Sequence, residues 1–171
     1  MQSIKKLVFI AIGVIAFSAN SFGQATAAAT ATATIVTPIA ISKTVDMNFG
    51  NVAVIASGTV VLAPGSTRSA TGGVTLPNVT GTVAAASFNV TGQGNYTYSI
   101  TLPSSAYTIT DLASNTMTVT NFVSNPTVGS GGTLSSGAQT LTVGATLNVG
   151  AAQVAGTYTN STGFNVTVNY N

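Results

Sequence analysis

The sequence lacks most of the side chains on which catalysis and metal binding depend. It contains no histidine, no cysteine and no tryptophan, and its only acidic residues are Asp46 and Asp111. Proton shuttles, thiolate nucleophiles, soft-metal ligands and clusters of catalytic carboxylates therefore have almost no residues to build on. We expect a protein that is not an enzyme, with no catalytic residue, no cofactor and no metal site, and that acts through its shape and surfaces.

Positive charge is also scarce, and half of it lies at the N-terminus. Of the four basic residues, Lys5 and Lys6 belong to the first few positions, and only Lys43 and Arg68 follow. These last two balance the two aspartates, so the formal net charge of +2 comes from the N-terminal segment. Nucleic-acid binding needs a cluster of Lys and Arg to neutralise phosphates. The composition therefore excludes a nucleic-acid partner.

The first residues have the pattern of a secretory signal peptide, which we place at residues 1–23. Two lysines precede an apolar run at residues 7–17, and Ser21 and Gly23 occupy the −3 and −1 positions of a small-residue cleavage site. The apolar run is well short of the roughly 20 residues that span a bilayer. We predict cleavage before Gln24, no stable transmembrane anchor, and a secreted protein at the cell surface or outside the cell.

After the signal segment the chain alternates apolar and polar residues with a period of two. The clearest case is the end of the chain, where Phe164, Val166, Val168 and Tyr170 share one face and are expected to form the core side of the last strand. Further alternating segments are predicted as strands at residues 35–41, 59–62, 83–90, 96–102, 116–122 and 141–149. Turn residues such as those at 64–65, 72–73 and 92–94 separate them. The pattern predicts an all-β fold, an antiparallel sandwich of seven to nine strands in a single domain at residues 35–171.

Residues 24–34 form an alanine- and threonine-rich extension with its own alternation. One face of an extended chain would present Ala27, Ala29, Ala31, Ala33 and Ile35. Such a strip fits a strand that fills a groove in a neighbouring subunit. A flexible tail is the other interpretation, because alanine buries little apolar area and favours helix over strand.

The predicted strands carry almost no charge at their edges. Proteins usually protect edge strands with Lys, Glu or Pro, which discourage pairing with other chains. Here the polar faces consist of threonine, serine and asparagine instead. This composition favours pairing with other β strands.

Tyrosines and the few charges are the remaining candidate site residues. Tyr96 and Tyr98 alternate with polar residues and are expected in the core, whereas Tyr107 and Tyr158 fit either the core or a surface that stacks on sugars. The four charged residues after the signal segment are expected to have structural or solvated roles. Loops at residues 104–111 and 125–136 are the candidate ligand-binding loops.

Six segments together resemble a known family. They are residues 47–52 (MNFGNV), 58–68 (GTVVLAPGSTR), 86–92 (ASFNVTG), 99–104 (SITLPS), 143–150 (VGATLNVG), and 155–158 (AGTY) with 164–171 (FNVTVNYN). In order and spacing the chain resembles the secreted bacterial family called domain of unknown function 4402, which looks distantly similar to spore coat protein U and to archaic chaperone–usher pilins. The resemblance implies an immunoglobulin-like sandwich that passes through the periplasm to the cell surface. It implies self-association or pairing with homologous β subunits, with a chaperone during export, and no catalytic residues.

The leading functional hypothesis is therefore a secreted structural protein, a pilin-like or filament-forming surface subunit that assembles by β-strand pairing or donor-strand exchange. One alternative is a monomeric cell-surface adhesin or glycan-binding module that uses the loops named above. Another is a small outer-membrane β-barrel, since short alternating strands would fit one.

Overall fold

A computed structural model describes residues 23–171, and the chain divides between Thr34 and Ile35 into two units. In the first unit, residues 23–34 are exposed and form neither strand nor helix. Residues 1–22 of the predicted signal peptide lie outside the described residues. Within residues 23–171 no helix has the length and apolar character needed to cross a membrane.

The second unit consists of ten strands in two antiparallel sheets, with no helix among the described residues. This confirms the predicted all-β antiparallel fold, which is consistent with a sandwich and has one strand more than the upper limit of the prediction. The strands are β1 (Ala40–Val45), β2 (Ala53–Leu62), β3 (Arg68–Thr75), β4 (Ala86–Thr91), β5 (Thr97–Thr101), β6 (Tyr107–Thr110), β7 (Thr116–Asn125), β8 (Gly132–Thr133), β9 (Ala138–Val149) and β10 (Thr167–Tyr170).

The larger sheet has seven strands organised around β9, its longest member. β9 pairs with β4 through residues 138–143 and with β2 through residues 145–149. On its other side β9 pairs with β7 over both of these stretches, for example at Thr142 and at Leu147. β4 and β2 therefore lie one after the other along the same side of β9. β1 lies beyond β4, β3 beyond β2 and β6 beyond β7. The smaller sheet has only three strands, in the order β10-β5-β8.

The buried side chains form two clusters, and only one of them receives residues from the smaller sheet. The first cluster contains Tyr98 and Ile100 of β5 and Val168 of β10, packed against β4 and β9. The second cluster draws its buried residues from the larger sheet and from the segment before β2: Phe49, Val60, Leu62, Val74, Val119, Ala145, Leu147 and Val149. The smaller sheet therefore covers only part of the larger one.

Several predicted boundaries are wrong. The Gly72-Gly73 pair lies inside β3 instead of in a turn, because Gly72 sits directly opposite Gly58 of β2 beside an irregular register, where side chains would collide with the facing backbone. The turn between β2 and β3 lies at residues 63–67, where the Ala63 amide donates to the Thr67 carbonyl at 2.8 Å. β1 begins at Ala40, five residues after the start of the predicted strand.

Candidate functional site

The uncovered part of the larger sheet forms an open cleft of about 910 Å³. Two segments line it, residues 46–54, which run from the end of β1 into the start of β2, and residues 153–160 after β9. Sheet side chains add to the lining: Tyr107, Ile109, Met117, Val119, Leu147 and Val149. Thr82, Gly163 and Phe164 line it as well. This volume is at the upper end of the range for ligand sites in proteins. Four residues of the second buried cluster line the cleft: Phe49, Val119, Leu147 and Val149.

The lining of the cleft is mixed, with apolar side chains from the sheet and polar groups from the two segments, and it carries a single charged side chain. Met47, Val52 and Val54 are half-buried and pack against the second cluster. The charged residue is Asp46, whose carboxylate lies 2.5 Å from the Lys43 ammonium in an exposed pair. The residues that line the cleft include no second carboxylate and no histidine.

Arg68 holds the first lining segment in place. Its guanidinium donates hydrogen bonds to the backbone carbonyls of Phe49 and Asn51, the second at 2.8 Å, and a longer one of 3.4 Å to Thr80. The Asn51 amide in turn donates to the Thr80 carbonyl at 2.7 Å. The planar guanidinium thus donates charge-assisted hydrogen bonds to three backbone carbonyls in two loops and holds the loops together. Sequence reasoning assigned Arg68 only a structural or solvated role and did not identify these partners.

Gly50 makes this arrangement possible. Its φ of +68° lies in the left-handed region, which residues with a Cβ seldom adopt. A Cβ at this position would also overlap the Thr80 carbonyl oxygen and would lie 2.8 Å from the Arg68 guanidinium. The Gly50 amide donates to the Asn48 side chain at 2.8 Å. The MNFGNV segment therefore folds into a tight loop that forms one edge of the cleft.

Two tyrosines hold the second lining segment. The Tyr158 hydroxyl donates to the Val154 carbonyl at 2.7 Å and accepts from the Gln153 side chain at 2.8 Å. The Tyr107 hydroxyl donates to the Asn160 carbonyl at 3.0 Å. Burial raises the pKa of Tyr107, an effect that the backbone hydrogen bond at Gly163 partly offsets. Both hydroxyl groups thus bond to the chain's own backbone.

The other two tyrosines considered in the sequence differ from one another. Tyr98 is fully buried, as expected, its hydroxyl donates to the Gln139 side chain at 2.9 Å, and burial raises its pKa. The expectation of a core position is wrong for Tyr96, which is 44% exposed. β5 begins only at Thr97, and the Tyr96 ring packs edge-on against Tyr170 with 5.6 Å between ring centroids.

Asp111 organises the loop after β6. Its carboxylate accepts hydrogen bonds from the Asn115 side chain and backbone amide, both at 2.7 Å, and from the Ala113 amide at 2.9 Å. These bonds, with the Asn115 side chain first, hold the pKa of Asp111 below its usual value. The predicted binding loop at residues 104–111 is partly wrong, because Tyr107–Thr110 forms strand β6.

The predicted last strand is shorter than expected. Phe164 and Val166 precede β10 and are half-buried against the first cluster, and Val168 is buried in it. Tyr170 is half-buried, and its hydroxyl accepts from the Gln93 amide at 2.6 Å and donates to the Thr37 carbonyl at 2.7 Å. It thus connects the end of the chain with the residues before β1.

The predicted assembly strip lies in exposed, non-strand chain. Its residues are Ala27, Ala29, Ala31, Ala33 and Ile35. Ile35, the first residue of the second unit, is 97% exposed. The structure therefore leaves both interpretations of the strip open.

Comparison with known proteins gives one match. The family model described as "Domain of unknown function (DUF4402)" matches residues 39–170, which is nearly all of the second unit. No curated protein and no solved structure matches the chain.

Proposed function

The chain belongs to the DUF4402 family, and we propose that it is a secreted, non-catalytic structural subunit of the cell surface, pilin-like in that it assembles by β-strand pairing or donor-strand exchange. The observation that carries this proposal is the open cleft beside the second buried cluster, with apolar side chains on its sheet side. The cleft is the acceptor, and the strip from Ala27 to Ile35 is the donor.

Burial favours an added strand in the cleft. Phe49, Val119 and Leu147 line the cleft but are already buried, so the apolar surface that an added strand would cover belongs to the half-buried Met47, Val52 and Val54 and to the exposed Val154. Each square ångström of apolar surface that a strand removes from water contributes about 25 cal/mol. Small alanines on the inner face of the donor suit a cleft whose lining already projects large side chains, and Ile35 supplies the one large apolar group.

Backbone hydrogen bonding favours it as well. Among the described strands, β1, β3, β6, β8 and β10 each pair on one side only. A strand added at such an edge gains main-chain hydrogen bonds, and its alternate side chains give specificity. Neither partner opposes the approach electrostatically, since the strip has no charge and the cleft carries only Asp46, paired with Lys43. The association is expected to depend little on salt.

Two double variants of the chain beginning at Gln24 test the proposal. Ala29→Asp with Ala31→Asp places charges on the inner face of the strip, and Thr30→Asp with Thr32→Asp places the same charges on its outer face. We expect the first variant to remain monomeric and the second to assemble as the unmodified chain does, measured by light scattering and electron microscopy. A chain that is monomeric at every concentration, or two variants that behave alike, would overturn the proposal.

A further inference from the structure

A second, smaller hollow of about 440 Å³ opens at one end of the smaller sheet. Thr101 ends β5 and pairs with Thr167, which begins β10, so both strands contribute to this end. The rest of the lining is residues 102–106, which connect β5 with β6, Tyr107 at the start of β6, and residues 163–165 before β10. The hollow therefore lies where the chain passes from the smaller sheet to the larger one. Its volume is within the range of ligand sites in proteins.

Aromatic side chains form one wall of the hollow. Tyr107 and Phe164 line both the hollow and the cleft, so these two residues separate the two spaces. Their rings pack edge to face with 5.8 Å between centroids, and the Phe122 ring packs against Phe164 at 4.9 Å. Leu102 and Pro103 add further apolar groups to the lining. Because these contacts already hold the rings in place, little side-chain entropy is lost when a ligand covers them.

The hollow also presents polar side chains that are exposed and uncharged. Ser104, Ser105 and Asn165 can each donate and accept hydrogen bonds. Within residues 23–171, none of these three side chains bonds to another group of the protein, and no charged side chain lines the hollow. The Tyr107 hydroxyl, in contrast, already donates to the Asn160 carbonyl. Three polar groups beside an apolar wall are thus available to a ligand.

We propose that this hollow binds a neutral saccharide, a function separate from strand addition in the cleft. A sugar ring combines apolar faces of C–H groups with a rim of hydroxyls that donate and accept, which matches the aromatic wall and the polar side chains beside it. An ionic ligand would lose hydration without meeting an opposite charge, and a lipid tail would cover the three polar groups without bonding to them. The proposal does not rest on the proposed function, since Ser104, Ser105 and Asn165 line only the hollow.

NMR titration tests the site in the chain that begins at Gln24 and carries Ala29→Asp and Ala31→Asp, substitutions outside the hollow that prevent assembly through the strip. The probes are cellotriose, xylotriose, mannotriose and the trimer of N-acetylglucosamine, with trigalacturonic acid as the charged comparison. We expect at least one neutral sugar to shift the amide resonances of residues 101–107 and 163–167 with a Kd of about 1 mM or lower. Trigalacturonic acid should bind more weakly than that sugar.

Asn165→Ala and Asn169→Ala are the matched variants, because both asparagines are exposed near the end of the chain and only Asn165 lines the hollow. Asn165→Ala should weaken binding about fivefold through one lost hydrogen bond, whereas Asn169→Ala should leave the affinity unchanged. Urea unfolding establishes that both variants remain folded.

Three results would overturn the proposal. The first is that none of the four neutral sugars shifts these resonances at about 10 mM, well above a Kd of about 1 mM. The second is that the affinity is the same in the two asparagine variants. The third is that trigalacturonic acid binds as tightly as the neutral sugars. A failure of strand addition leaves this measurement unaffected, so the two proposals stand or fall separately.

Discussion

The guanidinium of Arg68 donates a hydrogen bond of 2.8 Å to the carbonyl oxygen of Asn51, 17 positions earlier in the chain. The same group bonds to the Phe49 carbonyl. Arg68 begins β3, and Phe49 and Asn51 belong to the irregular segment that lines the cleft. One of the few charged side chains of the protein thus forms hydrogen bonds to backbone carbonyls instead of an ion pair.

Replacing Arg68 is expected to cost more stability than replacing either partner of the exposed ion pair. Arg68→Met leaves the Phe49 and Asn51 carbonyls without the guanidinium donor, whereas the Thr80 carbonyl keeps its hydrogen bond from the Asn51 amide. Hydrogen bonds to charged groups contribute roughly 1.5–3 kcal/mol each, less where solvent reaches them. Arg68→Lys should recover only part of the loss, since an ammonium lacks the fork of donors. Urea unfolding measures the effect.

Lys43→Met is the matched control for Arg68→Met. Lys43 pairs with Asp46 at 2.5 Å, but their side chains are 55% and 79% exposed, so the pair contributes less than about 1 kcal/mol. If Arg68→Met and Lys43→Met change the free energy of unfolding equally, Arg68 does not hold the segment as described.

Gly50→Ala is expected to destabilise the domain by about 2 kcal/mol or more. The substitution places a Cβ against the Thr80 carbonyl in a left-handed conformation, which combines overlap with backbone strain. Gly65→Ala is the control, because no atom lies within 4 Å of the Cβ it would add. We expect Gly65→Ala to change stability by less than about 1 kcal/mol. Comparable losses in the two variants would count against the tight loop at Gly50.

Tyr170→Phe is expected to break the link between Tyr170, Gln93 and Thr37 while leaving the aromatic ring in place. The hydroxyl that accepts from Gln93 and donates to Thr37 is removed, at a cost of about 1–2 kcal/mol. Amide hydrogen exchange at Gln93 should become faster, whereas exchange within β9 should follow only the global change in stability. Unchanged protection of the Gln93 amide would contradict the hydrogen bond.

The pH dependence of stability should be flat from about pH 5 to about pH 9, because the sequence has no histidine or cysteine side chain to titrate there. Hydrogen bonds lower the pKa of Asp111 in the folded protein, so its contribution is present above the ordinary value of 3.8 and disappears as the pH falls through the lowered value. Burial raises the pKa of Tyr98, so its contribution is present below 10.0 and is lost as the pH rises beyond it.

Thermal unfolding from well below pH 3.8 to well above pH 10.0, with Asp111→Asn as the comparison, measures both the acid and the alkaline decline. The variant should lose part of the decline on the acid side and keep the decline on the alkaline side. An acid limb that is identical in the two proteins would show that Asp111 does not contribute to it.

The sequence predicted strands correctly where apolar and polar residues alternate with a period of two. The segments at residues 96–102 and 141–149 correspond closely to β5 and β9, because a half-buried strand imposes that period on its side chains. The prediction failed at Gly72-Gly73, where glycine serves close packing between two strands and not a turn. Glycine is needed for both purposes, so a glycine pair does not distinguish them.

The cleft could not be predicted from local pattern. It exists because the smaller sheet ends before it covers the second cluster, and that extent depends on which strands pair. The role of Arg68 could not be predicted either. Its partners are backbone carbonyls, which every residue has, and only the fold decides which of them lie near Arg68. The alternation from Ala27 to Ile35, in contrast, can be read directly from the sequence. Whether it forms a strand depends on binding to a second molecule.

Disulfide scanning tests strand addition into the cleft most directly, because the chain has no cysteine of its own. One chain carries Val154→Cys, at a half-exposed residue that lines the cleft. It is mixed in turn with chains that carry a single cysteine at each position of residues 27–34. Only disulfides between different variants are counted, on non-reducing gels.

The account predicts that the yield of mixed disulfides alternates with a period of two along the strip. It should be high at odd positions near the contact, such as Ala29 or Ala31, and low at Thr30 and Thr32. A uniform yield, a smooth decline along residues 27–34, or no mixed disulfide at any position would contradict the claim that this strip enters the cleft as a β strand.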